Sequence, residues 1–209
     1  MIRIKVILII IALLITVRSY AQNITNPIET LKKKREIVYG LDNRRTDIHQ
    51  HHTVIYGIFA GISYGKKLIF KIGINGTPFE VGKIVDENGI LKKNRLLFAT
   101  IGEEFDFYQY KKIVFTTYLQ TGIGNNFYRN INQSGTEVYK GKELIIPIET
   151  GLHLSYELRS YLKFKTGFGW RFVSPDKSRE LSGYYIKLGL SFNLKKYNEI
   201  RSENKIIKR

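Results

Sequence analysis

The stretch DNRRTDIHQHHT, from Asp42 to Thr53, holds the chain's densest set of side chains that could bind an ion. It contains three of the four histidines, two arginines and two aspartates. Imidazole and carboxylate groups are ligands for zinc or copper, whereas arginine pairs suit phosphate. We predict an external rim loop and no metal site, because the sequence provides no third fixed ligand. The residues of this predicted rim loop are Arg44, Arg45, His49, His51 and His52.

A second candidate for chemistry is the alternating set Glu149, His153 and Ser155. A carboxylate, a histidine and a serine can form a catalytic triad when the fold brings them together. On one strand, however, alternate residues point the same way and follow one another along the chain. Because this geometry is poor for relaying a proton, we predict no catalytic residues, no cofactor and no enzymatic activity.

The N-terminus has the pattern of a secretory signal. Arg3 and Lys5 precede the apolar run VILIIIALLITV, and Ser19-Tyr20-Ala21 offers a cleavage site with small residues. We therefore predict a signal peptide over residues 1–21 and an exported mature chain. Residues 22–34, which end within the basic run LKKKRE at residues 31–36, are predicted to be a periplasmic segment.

Composition restricts the classes of partner. The chain has 209 residues, a net charge of +16 and no cysteine, so it can form neither a disulfide framework nor a lipidated cysteine. Its length suits one domain. Such a charge would suggest nucleic acid in a cytosolic protein. For an exported chain we instead expect outer-membrane lipid and lipopolysaccharide as partners, together with other envelope proteins.

Seven segments between Thr53 and Asn193 alternate with a period of two, which predicts strands that each have one apolar face. Glycines inside these segments share a face with the charged residues. In a narrow membrane barrel the polar face is the crowded interior, where small residues make room for long ones. The pattern therefore predicts a transmembrane barrel. Glu103 departs from it, since it falls on the apolar face and predicts a bulge, a rim position or a wrong register.

Connection lengths predict how the strands are ordered. Short turns at Gly65-Lys66, Gln109-Tyr110 and Leu158-Arg159 alternate with long polar connections over residues 77–95, 125–142 and 173–180. Outer-membrane barrels have short periplasmic turns and long external loops, so the first and last of the seven segments run the same way. An antiparallel ring then needs an eighth strand. We assign it to Arg35–Gly40, which gives an all-β, antiparallel, eight-stranded transmembrane β-barrel over residues 35–194, followed by a basic tail over residues 195–209.

The inward face of the predicted barrel carries charges of both signs. Eight strands leave an interior that side chains can fill, so we predict a packed network of ion pairs rather than an open pore. The predicted lumen charge network consists of Lys71, Glu104, Asp106, Glu149, Lys163, Lys165, Arg171 and Lys187.

The segments GIFAGISYG, TGIGNNFY and GYYIKLGLSFNL, with the signal ending Ser-Tyr-Ala-Gln, resemble small outer-membrane β-barrel proteins of the Bacteroidota, OmpA/OmpX-like or PorT-like. The resemblance implies a surface or structural protein, or an accessory subunit of a secretion, gliding or assembly complex. We predict a monomeric barrel in the outer membrane. Two alternatives stand beside it: an outer-membrane enzyme that modifies lipid A, and a soluble periplasmic barrel of lipocalin type that binds a small ligand.

Overall fold

The computed structural model describes residues 30–32, 34–48, 51–65, 67–85, 90–132, 134–175 and 181–207. The predicted signal peptide and residues 22–29 lie outside these ranges, so both predictions stay untested. In the described part of the chain the strands are β1 (Arg35–Ile48), β2 (His51–Tyr64), β3 (Leu68–Gly76), β4 (Val81–Val85), β5 (Leu91–Tyr110), β6 (Ile113–Ile131), β7 (Glu137–Arg159), β8 (Leu162–Ser174) and β9 (Gly183–Asn193). One helix, α1 (Leu194–Ile207), follows directly.

The strands close into an antiparallel ring. Consecutive strands pair with each other except β3 and β4, β1 pairs with β9, and β5 pairs with both β3 and β4, over residues 97–105 and 91–94. Since β3 and β4 share one position, the ring has eight positions, each paired on both sides, which confirms the predicted fold class. The paired residues, followed once around the ring, advance along β1 from Glu36 to Thr46. This displacement tilts the strands, as closure of a barrel requires.

The predicted eighth strand exists and is longer than predicted. It starts at Arg35, as expected, but continues through Asp42 and Arg44 to Ile48. The prediction of an external loop at Asp42–Thr53 was therefore wrong. The alternation of inward and outward residues continues through this segment, and Asp42, Arg44 and Thr46 are buried. Charged side chains of both signs can pair inside the lumen, so their presence does not require a loop. His51 and His52 belong to β2, and His49 lies outside the described residues.

Two other predicted loops are also mostly strand. Polar residues in β5, β6 and β7 extend the sheet over much of the ranges 77–95 and 125–142 that the sequence suggested were loops. Pairing between these strands satisfies backbone groups along the shared edges, so polar side chains facing water do not prevent their extension. These three strands form an arm that projects past the rest of the barrel.

The two ends of the barrel differ. One end, called here the short-turn end, has the connections at residues 65–67, 111–112 and 160–161. Gly65 and Lys111 adopt positive φ angles of 55° and 52° in two of these turns. The other end, the long-loop end, has the connections at residues 77–80, 86–90, 132–136 and 175–182, although β1 and β2 are joined there by residues 49–50 alone. The short turns lie at one end, as predicted, whereas most connections at the other end are shorter than the sequence suggested.

The outer wall of the ring is apolar. Ile58 is 60% exposed and Ile72 is 63% exposed, although both sit mid-strand. Exposed aromatic side chains pack on one another near both ends, including Trp170 with Tyr184 and Phe107 with Phe115. A belt of apolar side chains with aromatic rims is the surface that a bilayer covers. Among the described residues, no helix is both long and apolar enough to cross a membrane.

Candidate functional site

The middle of the lumen holds a cluster of buried ionic side chains, called here the ionic layer. It combines residues from β1, β3, β5, β7, β8 and β9, which only closure of the ring brings together. The charged members are Asp42, Arg44, Lys71, Glu104, Glu149, Lys165, Arg171 and Lys187, all of them buried.

Glu104 is the acceptor at the centre of one half of the ionic layer. Its carboxylate is 0% exposed and accepts hydrogen bonds from Lys71 Nζ at 2.7 Å and Lys165 Nζ at 2.6 Å. Lys187 Nζ lies 3.6 Å from the same carboxylate. A buried carboxylate that meets three ammonium groups is electrostatically satisfied only while all of them stay in place.

Asp42 and Arg44 link the two halves of the ionic layer. Asp42 Oδ2 lies 3.0 Å from Lys187 Nζ and 3.2 Å from Arg44 Nη2. Arg44 reaches across the lumen to Glu149, with Nη1 at 3.0 Å from Oε2, and Glu149 also accepts a hydrogen bond from Gln120. Sequence reasoning missed Asp42 and placed Arg44 on the rim, although their spacing of two already put both on one face of an extended β1.

Arg171 joins the ionic layer to the long-loop end. Its Nε donates to the carbonyl oxygen of Leu181 at 2.9 Å, and its Nη1 lies 3.9 Å from Glu149. The Arg171 side chain therefore connects the ionic layer to the backbone of Leu181, in the connection between β8 and β9.

Tyrosines from opposite walls complete the layer. Tyr118 donates a hydrogen bond of 2.7 Å to the hydroxyl of Tyr185, and both rings are buried. Lys187 Nζ lies 4.2 Å from the centroid of the Tyr118 ring, a cation–π contact. The side chains therefore cross the full width of the lumen at this level.

A second layer, the apolar layer, fills the lumen toward the long-loop end. The sequence analysis did not identify it. Apolar residues on both faces at the ends of several strands were the available signal. Its members are Ile48, Ile55, Leu96, Phe98, Ile145, Val173 and Leu181.

Two of the predicted network residues lie apart from the ionic layer, near the short-turn end. Lys163 pairs with Glu157 at 3.2 Å, and Asp106 accepts a hydrogen bond of 2.7 Å from Thr116. They line a polar cavity of about 200 Å³ together with Lys196 of α1. Six residues of the predicted network therefore lie together in the ionic layer: Lys71, Glu104, Glu149, Lys165, Arg171 and Lys187. Asp106 and Lys163 lie closer to the short-turn end.

Helix α1 packs against the short-turn end. The Tyr197 ring contacts Tyr161 and Phe192, with centroids 5.5 Å away in each case. Asn193, immediately before the helix, donates a hydrogen bond of 2.6 Å to Glu36, which places the start of the helix beside the start of β1. The predicted basic tail over residues 195–209 is helical as far as Ile207.

The predicted rim residues do not form one site. Arg45 is exposed on the outward face, whereas Arg44 points into the lumen. His52 is exposed and pairs with Asp47. Within the described residues, no group of three or more His, Cys, Asp or Glu side chains is arranged to hold a metal ion.

The candidate triad of Glu149, His153 and Ser155 does not form, because Glu149 and His153 contact different residues. His153 is buried with Nε2 at 3.8 Å from Glu104 and its ring 5.6 Å from that of Tyr118. Glu149 instead binds Arg44 and Gln120. The carboxylate beside the histidine is therefore Glu104, whose oxygens are occupied by two lysines.

Comparison with known proteins gives the fold. No known protein family and no curated protein sequence matches this chain. A major outer membrane protein of Thermus thermophilus is similar in structure, with a TM-score of 0.50, 8% identity, and coverage of 76% of this chain and 99% of that chain. Neisserial surface protein A has a TM-score of 0.47 at 12% identity, with coverage of 77% and 97%. The attachment invasion locus protein Ail of Yersinia pestis has a TM-score of 0.48 at 10% identity, with the same coverage. The chain has the fold of a small transmembrane β-barrel of the outer-membrane type.

Proposed function

We propose that the protein is a non-enzymatic barrel of the outer membrane that anchors a basic helix at the periplasmic face. The observation that carries this proposal is the filled lumen. An ionic layer and an apolar layer occupy it in succession, and Glu104, Phe98 and Tyr185 are all nearly inaccessible to water. A barrel filled in this way serves as a rigid membrane anchor rather than as a pore.

The proposed orientation follows from the connections. Outer-membrane barrels place short turns in the periplasm and long connections outside the cell. Under this rule α1 lies in the periplasm, and the arm of β5, β6 and β7 lies at the cell surface. The signal peptide at residues 1–21 and an origin among the Bacteroidota belong to the same proposal, supported by the sequence segments described above.

Helix α1 is the proposed contact with other envelope components. Its sequence LKKYNEIRSENKII is rich in Lys and Arg, and Tyr197 fixes its first turns to the barrel wall. A basic helix held at the membrane surface suits an acidic protein surface or lipid phosphates. An accessory subunit of a secretion, gliding or assembly complex would need such an attachment.

Two measurements test the anchor. Purified protein in planar bilayers is expected to produce no unitary conductance steps, and reproducible steps would contradict a filled lumen. In native membranes, a chain truncated after Leu194 should insert normally but lose the crosslinked partners of the full chain. The same partners on both chains would contradict the role of α1.

A role for the arm as a lipopolysaccharide contact is a second proposal, supported by its charge. A groove of about 370 Å³ on the arm is lined by Arg95 and Lys140 beside the Tyr128 ring, and by Arg129, which pairs with Glu80 and Glu137 in the same groove. Arginine and lysine suit phosphate groups, and Arg45 adds a cation on the outward face of β1. The double variant Arg95→Ala/Lys140→Ala should bind lipopolysaccharide vesicles more weakly than the wild type, whereas phosphate-free lipid vesicles should show no difference. Equal binding of lipopolysaccharide by both proteins would contradict this role.

A further inference from the structure

The polar cavity at the short-turn end is a feature that the anchor role does not use. Its volume is about 200 Å³, and residues from seven of the eight ring positions line it together with the start of α1. Lys165 of the ionic layer is part of the lining, so the cavity adjoins that layer. At about 30 Å³ per molecule in the liquid, the cavity has room for about six water molecules or for one small organic ligand.

Three buried serine side chains face the cavity. Ser63, Ser155 and Ser191 are 5%, 3% and 7% exposed and belong to the lining. Their hydroxyl groups form no hydrogen bond with another described residue. A hydroxyl group is both a donor and an acceptor, and buried polar groups seldom lack a partner. Molecules inside the cavity must therefore supply these hydrogen bonds.

Asp106 faces the cavity because β5 is regular up to this residue. Pairing of β5 with β6 is continuous from Leu91 to Asp106, so the bulge or wrong register that the sequence suggested at Glu103 is not found. The register shifts just beyond, between Asp106 and Tyr108. A bulge changes which residues of a strand face inward, and Gln109 accordingly lines the cavity as well.

Two of the three lysine side chains in the lining are already paired. The pairs are Lys163 with Glu157 at 3.2 Å and Lys165 with Glu104 at 2.6 Å. Lys196 is half-buried and forms no ion pair with any described residue. Its place at the cavity is fixed, since its backbone N–H donates to Asn193 Oδ1 at 3.1 Å and so caps the start of α1. The Lys196 ammonium group is therefore available to a ligand.

Two carboxyl groups in the lining have no cation beside them. Asp106 accepts a hydrogen bond of 2.7 Å from Thr116, and Glu36 accepts one of 2.6 Å from Asn193. Neither carboxyl group forms an ion pair within the described part of the chain. They lie on different walls, because β2 and β3 stand between β1 and β5 in the ring. The groups without a counter-charge thus have both signs, which a single inorganic ion cannot satisfy.

We propose that the cavity binds a small zwitterionic ligand, whose ammonium group contacts Asp106 and whose carboxylate group contacts Lys196. The serine hydroxyl groups donate to the carboxylate or accept from the ammonium group. Val38 and Ile69 in the lining pack on the short hydrocarbon chain between the two charges. A free amino acid is the simplest ligand of this class. One chain forms the whole site, so ligand binding is independent of any partner of α1.

Calorimetric titration of the full purified chain in detergent micelles tests the ligand class. Glycine, β-alanine and 4-aminobutyrate place the same two charged groups at increasing separation, and at least one of them should bind saturably. The matching carboxylates (acetate, propionate, butyrate) and amines (methylamine, ethylamine, propylamine) each keep one charge and should bind about tenfold more weakly. No saturable binding of any zwitterion would overturn the proposal, because the cavity would then hold water only. Equal affinity for a zwitterion and its two analogues would also overturn it.

Two variants test the assigned contacts with the best zwitterion. Asp106→Asn should weaken its binding about tenfold and remove its advantage over the matching carboxylate. Lys196→Met should weaken binding as much and remove the advantage over the matching amine. A purely structural disturbance would not produce this selective pattern. Lys112→Met, at an exposed turn outside the lining, is the control and should bind like the wild type.

The folded state of each variant is verified by comparing heated and unheated gel samples. Folded Asp106→Asn and Lys196→Met proteins that bind the zwitterion as tightly as the wild type would refute the proposed contacts. An equal loss of binding in Lys112→Met would do the same.

Discussion

The ionic layer and the apolar layer fill the lumen of the same barrel with different kinds of contact. In the ionic layer, Glu104 and Asp42 hold lysines and arginines from opposite walls at hydrogen-bond distance. In the apolar layer, Phe98 and Ile145 simply pack. The ionic layer depends on every partner being present, since an unpaired buried charge is costly, whereas the apolar layer depends on volume.

Glycine serves both layers, which modifies the sequence interpretation. The sequence suggested that glycines make room for charged side chains. In the structure, a Cβ atom on Gly169 would lie 2.3 Å from the Tyr118 hydroxyl, and one on Gly124 would lie 2.3 Å from Phe98 Cβ. Glycines therefore make room for any large inward side chain, and the size of the neighbour matters more than its charge.

Glu104→Gln should have the largest effect on stability. Loss of the central carboxylate leaves Lys71, Lys165 and Lys187 without their main counter-charge in a buried layer, so the free energy of unfolding should fall by about 3–5 kcal/mol. Urea unfolding in lipid vesicles, followed by fluorescence of the single tryptophan, Trp170, measures this change. The matched control is Glu103→Gln, one residue away on the outer wall, where stability should hold or rise. Similar losses for the two variants would contradict the assigned faces.

Phe98→Ala tests the apolar layer. Removal of a fully packed ring leaves a cavity, and the free energy of unfolding should fall by about 3 kcal/mol. Leu97→Ala is the control on the outer wall, where lipid chains fill the vacated space and the loss should be smaller. The same unfolding assay compares them. A larger loss at Leu97 would mean that the lumen is loosely packed at this level.

Gly151→Ala tests the space that glycine provides. An added Cβ would lie 2.2 Å from the carbonyl oxygen of Phe168 and 2.6 Å from the Tyr118 hydroxyl. Because the wall itself must shift, we expect a loss of about 1–3 kcal/mol. Gly183→Ala is the control, since nothing lies within 4 Å of its added Cβ. Equal midpoints of urea unfolding for the two variants would count against tight packing in the ionic layer.

Tyr185→Phe should have the smallest of these effects. It removes the acceptor of the Tyr118 hydrogen bond, which should cost about 1 kcal/mol. Tyr184→Phe alters an exposed hydroxyl on the opposite face and should change the unfolding midpoint less. A larger loss at Tyr184 would show that the outward aromatic side chains, and not the lumen contacts, limit stability.

Much of the fold could be predicted because alternation and closure are strict constraints. Residues such as Ile58 and Lys71 report their face by position alone, and a ring of antiparallel strands requires an even number of positions. The boundaries could not be predicted in the same way. Asp42 and Arg44 are polar in a loop and equally polar in a lumen, so composition gave no reason to extend β1 beyond Gly40.

The sequence by itself determined which side chains face lipid and which face the lumen, because each strand's period of two is a local property. The tertiary structure alone decided which inward charges meet. Glu104 finds Lys71 on a neighbouring strand but Lys165 across the ring, and that contact depends on tilt and shear rather than on alternation. The division of the lumen into ionic and apolar layers arises from the same cause, since residues far apart in sequence reach one level only after the ring has closed.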